Sequence, residues 1–325
     1  MTAAPLRVGV IGYRNHAARI LDVLGRVPSV SVDRIYHPTK ALALSGATNE
    51  FAELLDCAAI FIASPNETHA EYLQALAEFR GYVFCEKPPV TRPEDIAKIR
   101  IPPERIFFNF NMRFSLMARA ISECLEAGHL GRVLFADAFV SHGLAFKPIY
   151  AGSWRSDRLT HKLGVIETVG IHHLDLFNTF FGEAVSISGA GGVFSGNGTA
   201  FDAGRITLTY PDGCMASVTT SYASPGLSHL RIVGTDGLLE VNAEHIVLRG
   251  PRDVFDEQGG FVLPPVLREF DPPAQGLYRD SLERSIRYFV DKARTGAAID
   301  RKLYADSMST MRSIFALTRQ LDARA

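Results

Sequence analysis

The feature that most constrains this chain is a regular alternation, in its first third, of short apolar runs and helix-length segments. Arg7–Gly12 (RVGVIG), Val30–Tyr36, Ala58–Ala63 (AAIFIA), Tyr82–Cys85 and Ile106–Phe110 read as strands. Helical patterns intervene at His16–Val27, Glu67–Phe79 and Pro93–Ile99, the first with Ala17, Ile20, Leu21 and Leu24 at helical spacing. Strand and helix in strict turn predict parallel strands joined by crossover helices. Strands covered on both faces lose the alternation of polar and apolar residues, and most of these do.

The pattern changes near Asn111. A helix is expected over Leu116–Ala127, ended by Gly128. Longer strand patterns follow at Arg132–His142, Ala184–Phe194, Gly204–Tyr210 and Cys214–Tyr222, with Pro211-Asp212-Gly213 as a hairpin turn. Gly234-Thr235-Asp236-Gly237 joins Leu230–Val233 to Leu238–Val241 as a second hairpin, so this sheet is expected to be antiparallel. Pro251–Pro273, rich in Pro, Gly and Asp, reads as a long surface loop, and helices close the chain at Leu277–Thr295 and Tyr304–Leu321. The 325 residues suffice for two cores. The expectation is an α/β protein: residues 1–113 form a Rossmann-type parallel sheet, and residues 114–325 form an α+β domain with a large, mostly antiparallel open sheet.

Composition excludes several classes. A net charge of −1 carries no basic excess for nucleic acid. The four cysteines Cys57, Cys85, Cys124 and Cys214 form no CxxC pair, so neither a zinc site nor a disulfide framework is expected, and a reducing compartment fits. MTAAPLRVGVIG lacks the charged and apolar regions of a signal peptide, and no apolar run approaches the ~20 residues of a membrane span. A soluble cytoplasmic protein with no nucleic-acid, membrane or metal partner is expected.

Gly12-Tyr13-Arg14-Asn15-His16-Ala17 ends the first strand and opens the first helix, where a dinucleotide-binding glycine loop belongs. Gly12 allows the tight turn, Ala17 allows close helix–strand packing, and the helix N-terminus offers free N–H groups to a pyrophosphate. Arg14 replaces the second glycine, whose lack of a Cβ normally admits the phosphate. Either Arg14 turns aside and makes a charge-assisted phosphate contact, or the loop is a βα turn that binds nothing. After the second strand, where an acid would hold the adenosine ribose, stand His37, Thr39 and Lys40. The absence of a carboxylate favours NADP over NAD, although Lys40 also suits a solvated surface charge.

Ser64-Pro65-Asn66-Glu67-Thr68-His69 follows the third strand and Glu86-Lys87-Pro88 the fourth, both at carboxyl ends of parallel strands. With "NMRF" at Asn111–Phe114, "GHLGRV" at Gly128–Val133, "SWR" at Ser153–Arg155, "GIHHLD" at Gly170–Asp175 and "GTDG" at Gly234–Gly237, the chain resembles the glucose–fructose oxidoreductase/inositol dehydrogenase (Gfo/Idh/MocA) family over nearly its whole length. The resemblance implies NADP or NAD at the first domain, with Gly12 to His16, His37, Thr39, Lys40, Ser64, Pro65, Asn66, His69, Glu86 and Lys87 around the cofactor. It implies hydride transfer at a sugar or cyclitol carbon, and a homodimer or homotetramer built on the open sheet. Lys87 matches the family's EKP lysine; His172 and Asp175 match the histidine and aspartate of GxHxxD.

The residue chemistry supports those roles. Oxidising an alcohol requires loss of its hydroxyl proton as the hydride leaves. The histidine side chain, as a residue type, titrates near neutrality, so His172 suits general base in oxidation and general acid in reduction. Lys87 can donate to the reacting oxygen. Asp175, three residues after His172 on the same helical face, could bind a substrate hydroxyl or orient the histidine, or be a helix-surface charge. The family's aspartate four residues before the histidine is Thr168 here, with Glu167 adjacent. A threonine cannot take the proton. Arg113, Trp154, Arg155, Lys162 and Thr168 are the candidate substrate contacts, and their cations suit a phosphorylated, carboxylated or nucleotide-linked sugar. The leading expectation is an NADP-preferring sugar or sugar-nucleotide oxidoreductase; the rival is a dinucleotide-sensing regulatory protein on the same scaffold without turnover.

Overall fold

In the computed structural model, which describes residues 4–242, 245–251 and 254–323, the chain begins with β1 (Leu6–Ile11), α1 (Asn15–Gly25), β2 (Val30–Tyr36), a two-residue β3 (Ala47–Thr48), β4 (Ala59–Ile62), α2 (His69–Ala75), β5 (Tyr82–Glu86) and β6 (Ile106–Asn109). The six strands form one parallel sheet in the order β3-β2-β1-β4-β5-β6. The order reverses between β1 and β4, and this is the switch point where loops at the carboxyl ends splay apart and admit a ligand. Every residue of β4 is buried, as a centrally covered parallel strand requires. The helix expected over Glu67–Phe79 is shorter, a 3-10 turn at Asn66–Thr68 followed by α2, and Pro93–Lys98 is 3-10 rather than α-helical.

The remainder comprises α3 (Leu116–Glu126), β7 (Val133–Ser141), a π-helical turn at Ile166–Gly170 running into α4 (Ile171–Phe181), β8 (Ser186–Gly192), β9 (Ala203–Thr209), β10 (Met215–Ser221), β11 (Leu227–Gly234), β12 (Leu238–Asn242), β13 (Ile246–Arg249), β14 (Val266–Phe270), α5 (Leu277–Thr295) and α6 (Arg301–Asp322). Ser115 caps α3 by accepting the Ala118 N–H at 3.0 Å, and Gly128 (φ +70°) takes the left-handed turn expected after it. The second sheet runs β14-β13-β12-β11-β7-β10-β9-β8, antiparallel throughout except for the parallel pair β7–β10. Gly170 and Gly204 let the helical layer approach this sheet closely. A Cβ on Gly204 would lie 2.5 Å from Ile166 Cδ1, and one on Gly170 3.3 Å from Thr220 Cγ2.

The loop expected over Pro251–Pro273 is corrected. Val266–Phe270 is strand β14, paired with β13, and Phe255 bridges Phe261. Residues 252 and 253 lie outside the described set. Polar turn residues dominate the composition of the segment, yet strand β13 offers an open edge whose N–H and C=O groups need partners.

Two compact units result: residues up to Asn111 with Leu282–Met311, and Met112–Ser281 with residues from Arg312 onward. The first change of unit follows Asn111. Leu282–Met311, from the far end of the sequence, groups with the first unit. Phe289 is the reason: its ring lies 5.0 Å from that of Phe61, 5.4 Å from Phe84 and 6.2 Å from Phe107, all on the parallel sheet. Among the described residues, no helix is long and apolar enough to cross a membrane.

Candidate functional site

In the first unit the candidate residues gather at the carboxyl ends of β1, β2, β4 and β5. Gly12 has φ +101°, and a Cβ there would stand 2.8 Å from the Ala63 carbonyl oxygen and 3.1 Å from Ser64 Cα. Only glycine fits, because the loops after β1 and β4 touch at that point. Arg14 is the extended residue preceding α1 and makes no side-chain cap, so the first-turn N–H groups keep their anion-binding capacity. Tyr13, Arg14 and Asn15 are exposed.

Glu86 is buried at the end of β5. Asn109 Nδ2 donates to its Oε1 at 2.7 Å, and His16 Nε2 lies 2.8 Å from the same oxygen. Burial would push this carboxyl up. His16, Asn109 and Lys87 together outweigh burial and hold it below the usual glutamate value, so it is a carboxylate at neutral pH. A buried anion therefore precedes Lys87, and His16 on the first helical turn is tied to it. Lys87 is half-buried, and the Lys87–Pro88 peptide is cis.

His69 is fully buried. Its Nδ1 lies 2.8 Å from the Pro88 carbonyl and its Nε2 3.1 Å from that of Ser64. Burial lowers the His69 pKa, so the ring is neutral and its single N–H serves one of these carbonyls. Lodged between the two, His69 packs the loop after β4 against the loop after β5 and is withdrawn from any ligand. Ser64 in turn accepts from the Thr68 hydroxyl at 2.7 Å.

At the end of β2 the His37 Nδ1 accepts the N–H groups of Lys40 (3.0 Å) and Thr39 (3.3 Å), and Asn49 Nδ2 donates to the carbonyls of His37 and Lys40. Burial lowers the His37 pKa, and the charges of Lys40 and Arg14 lower it further. The imidazole is thus a neutral turn-former beside two cations, where the sequence places no acid.

In the second unit, Arg113 and Asp175 meet each other. Arg113 Nε donates to Asp175 Oδ2 at 2.8 Å and Nη2 donates to Oδ1, with side chains 4% and 0% exposed. The carboxylate expected to bind a substrate hydroxyl or orient His172 anchors α4 instead, and the guanidinium expected at the substrate is its counter-ion. Lys162 lies 2.9 Å from Asp322 on an exposed surface, so its cation too is answered within the chain.

The adjacent histidines differ. His173 is buried, which lowers its pKa to about 4; His172 is half-buried. His173 is therefore neutral packing. In the unfolded chain its pKa is about 6.5, so the folded value is the depressed one and the unfolded chain binds the proton first. The contribution of His173 is fully present above about pH 6.5 and is lost as pH falls toward 4, by about 3 kcal/mol in all. Chemical denaturation between about pH 7 and 5 is expected to show a shallower pH dependence in His173→Leu than in the natural chain; an unchanged slope would remove this assignment.

Thr168 lies in the π-helical turn, a distortion found mostly at functional sites. Its hydroxyl donates to the Gly164 carbonyl (2.9 Å) and lies 2.9 Å from the hydroxyl of Tyr222, whose pKa burial raises and the Arg155 charge lowers. Arg155 stacks on Trp154, 4.0 Å from the ring centroid, and Trp154 packs at 4.5 Å against His161. The His142 ring lies 4.9 Å from that of Tyr222. Tyr222, His142 and Asn109 were not foreseen. Asn109 carried a signal, as a polar residue closing a buried parallel strand; Tyr222 and His142 are ordinary strand-end residues in sequence.

Residues 6–100 match the sequence model described as "Oxidoreductase family, NAD-binding Rossmann fold", and residues 118–240 that of the "GFO/IDH/MocA C-terminal domain". Curated relatives include the 1,5-anhydro-D-fructose reductase of Ensifer adhaerens, 28% identical over 57% of this chain and 56% of that one. The D-xylose 1-dehydrogenase (NADP(+)) 2 of Haloferax volcanii is 27% identical over 80% of this chain and 76% of that one. Across the curated relatives reported, the match spans 51% to 80% of their length. An oxidoreductase from Agrobacterium radiobacter, solved with NAD+, L-tartaric acid and magnesium, shares the fold at TM-score 0.76 and 17% identity, over 97% of this chain and 96% of that one.

Proposed function

Because the chain belongs to the Gfo/Idh/MocA oxidoreductase family, we propose that it transfers a hydride between a nicotinamide dinucleotide, NADP in preference to NAD, and a carbinol or keto carbon of a sugar-type substrate. The observation that carries this reading is the row of groups at the carboxyl ends of the parallel strands: the Gly12 turn, the uncapped start of α1, and Lys87 following a buried, ionised Glu86. The relatives' activities, reduction of anhydrofructose and oxidation of xylose, are of the same chemical kind.

The residues fit a dinucleotide. The Gly12–His16 loop would hold the pyrophosphate, with Arg14 adding a charge-assisted contact. His37, Thr39 and Lys40 would receive the adenosine ribose and its 2′-phosphate. A bound nicotinamide supplies the hydride acceptor in oxidation and the donor in reduction. Lys87 donates from its ammonium to the reacting oxygen and favours alkoxide character there. His172 takes the hydroxyl proton in oxidation and returns it in reduction. His173 is neutral and buried and takes no proton from the substrate, and Asp175 is held by Arg113. Thr168 orients but does not take the substrate proton.

Two expected outcomes test this. Incubation with NADP+ and a panel of aldoses and cyclitols should raise nicotinamide absorbance; tight cofactor binding with no turnover on any sugar would contradict the reading. His37→Asp retains an acceptor for the Thr39 and Lys40 N–H groups and places a carboxylate where a 2′-phosphate would sit. Its affinity for NADP+ relative to NAD+, read by calorimetry, is expected to fall about ten- to a hundredfold, the worth of one charge-assisted hydrogen bond.

A further inference from the structure

Resting on the reading above, we infer that the substrate carries a carboxylate and that Arg155 binds it. Three cations were candidates for contacting an anionic substrate. Arg113 is neutralised by Asp175 and Lys162 by Asp322. Of the three, Arg155 is the one with no carboxylate partner among the described residues. Its guanidinium is half-buried, laid on the Trp154 ring at 4.0 Å and turned toward the Tyr222 hydroxyl. A guanidinium cannot shed its charge, and holding it partly desolvated without a counter-ion is costly.

The polarity of the hydrogen bonds explains why the chain itself does not answer that charge. The single Thr168 hydroxyl proton goes to the Gly164 carbonyl. The Tyr222 hydroxyl, 2.9 Å away, therefore donates to Thr168, and the Arg155 charge acts on its oxygen. Tyr222, Thr168 and Gly164 form one directed series that ends at a neutral carbonyl, and the Arg155 cation acts on the tyrosine at its start. An aspartate at position 168 would close it with a negative charge; threonine leaves the positive charge outstanding. Thr168 lies four residues before His172, so the series starts beside the helical segment that carries the proton-transfer residue.

One guanidinium matches a monoanion. A phosphate ester carries about −1.5 to −2 charges, and His142, whose ring lies 4.9 Å from that of Tyr222, has its pKa lowered by burial and by the Arg155 charge, so it adds no second cation. The substrate class is therefore a uronic acid or similar carboxylated sugar, and Arg155 distinguishes it from the corresponding neutral sugar.

The test compares the full chain loaded with NADP+ on D-galacturonate, D-galactose and D-galactose 6-phosphate, by turnover and independently by calorimetric binding. The expected result is a galacturonate-over-galactose ratio of about ten to a hundred in either readout, collapsing toward one in Arg155→Gln. Thr168→Asp, which answers the guanidinium from within, should collapse the ratio as well, and it decides the matter if Arg155→Gln does not fold. Equal handling of the acid and the neutral sugar, preference for the phosphate ester, or an acid preference that survives Thr168→Asp overturns the inference. Turnover failing with every sugar defeats the catalytic reading alone, because the binding ratio still decides the carboxylate subsite.

Discussion

Lys87→Met is expected to lower kcat by about a hundred- to a thousandfold, the cost of deleting one donor aimed at charge that develops in the transition state. The reasoning starts from burial. Glu86 closes β5 and is withdrawn from water, yet Asn109 and His16 hold it ionised. Lys87, the next residue, leaves the sheet at the carboxyl end, so its ammonium belongs to the loop layer and not to the core. Methionine keeps the length and loses the charge, so local packing is conserved while donation to the reacting oxygen is not. An interaction made chiefly in the transition state should appear in kcat and in kcat/KM together. Lys87→Arg retains a cation of different shape and is expected to recover part of the loss. A Lys87→Met protein that turns over sugars as fast as the natural chain would remove the lysine from the chemistry.

The second large effect concerns stability. Arg113→Ala and Asp175→Ala are each expected to destabilise the protein by about 3–5 kcal/mol, because each leaves an uncompensated charge in the interior. The pair is bidentate and its side chains are almost wholly withdrawn from solvent. Arg113→Met with Asp175→Leu removes both charges and restores volume; it should be distinctly more stable than either single variant, since an apolar pair of similar size often equals a buried ion pair. Chemical denaturation of the three variants gives the result. Single substitutions that cost less than about 1 kcal/mol, the range of surface pairs, would show that the pair is not the anchor of α4 described here.

The parallel sheet was legible because its strands are short, apolar and separated by helix-length spacers, and Val30–Tyr36 emerged with the bounds its sequence suggested. The antiparallel sheet was legible where turns are marked, as at Pro211-Asp212-Gly213, and not where pairing depends on a distant edge, as with Ile246–Arg249 and Val266–Phe270. The placement of Leu282–Met311 with the first unit is a matter of which apolar face meets which, and nothing local to Phe289 announces Phe61 as its neighbour.

Candidate residues followed the same division. Gly12 could be read because its conformation and its crowding by Ala63 arise from a recurrent turn. Asp175 and Arg113 could be listed but not paired, since 62 positions separate them. His69, a plausible cofactor contact by position, is buried between two carbonyls that only folding brings to it. Arg155 was one cation among several until its neighbours' partners were known, and Tyr222, which bonds Thr168, carries no mark in the sequence.

The most direct test of the oxidoreductase account is the nicotinamide absorbance of the purified full-length chain incubated with NADP+ and a panel of neutral and carboxylated sugars, run beside Lys87→Met. Sugar-dependent reduction by the natural chain, lost in the variant, is the predicted result. A flat trace with every sugar, from protein that binds the dinucleotide, would contradict it.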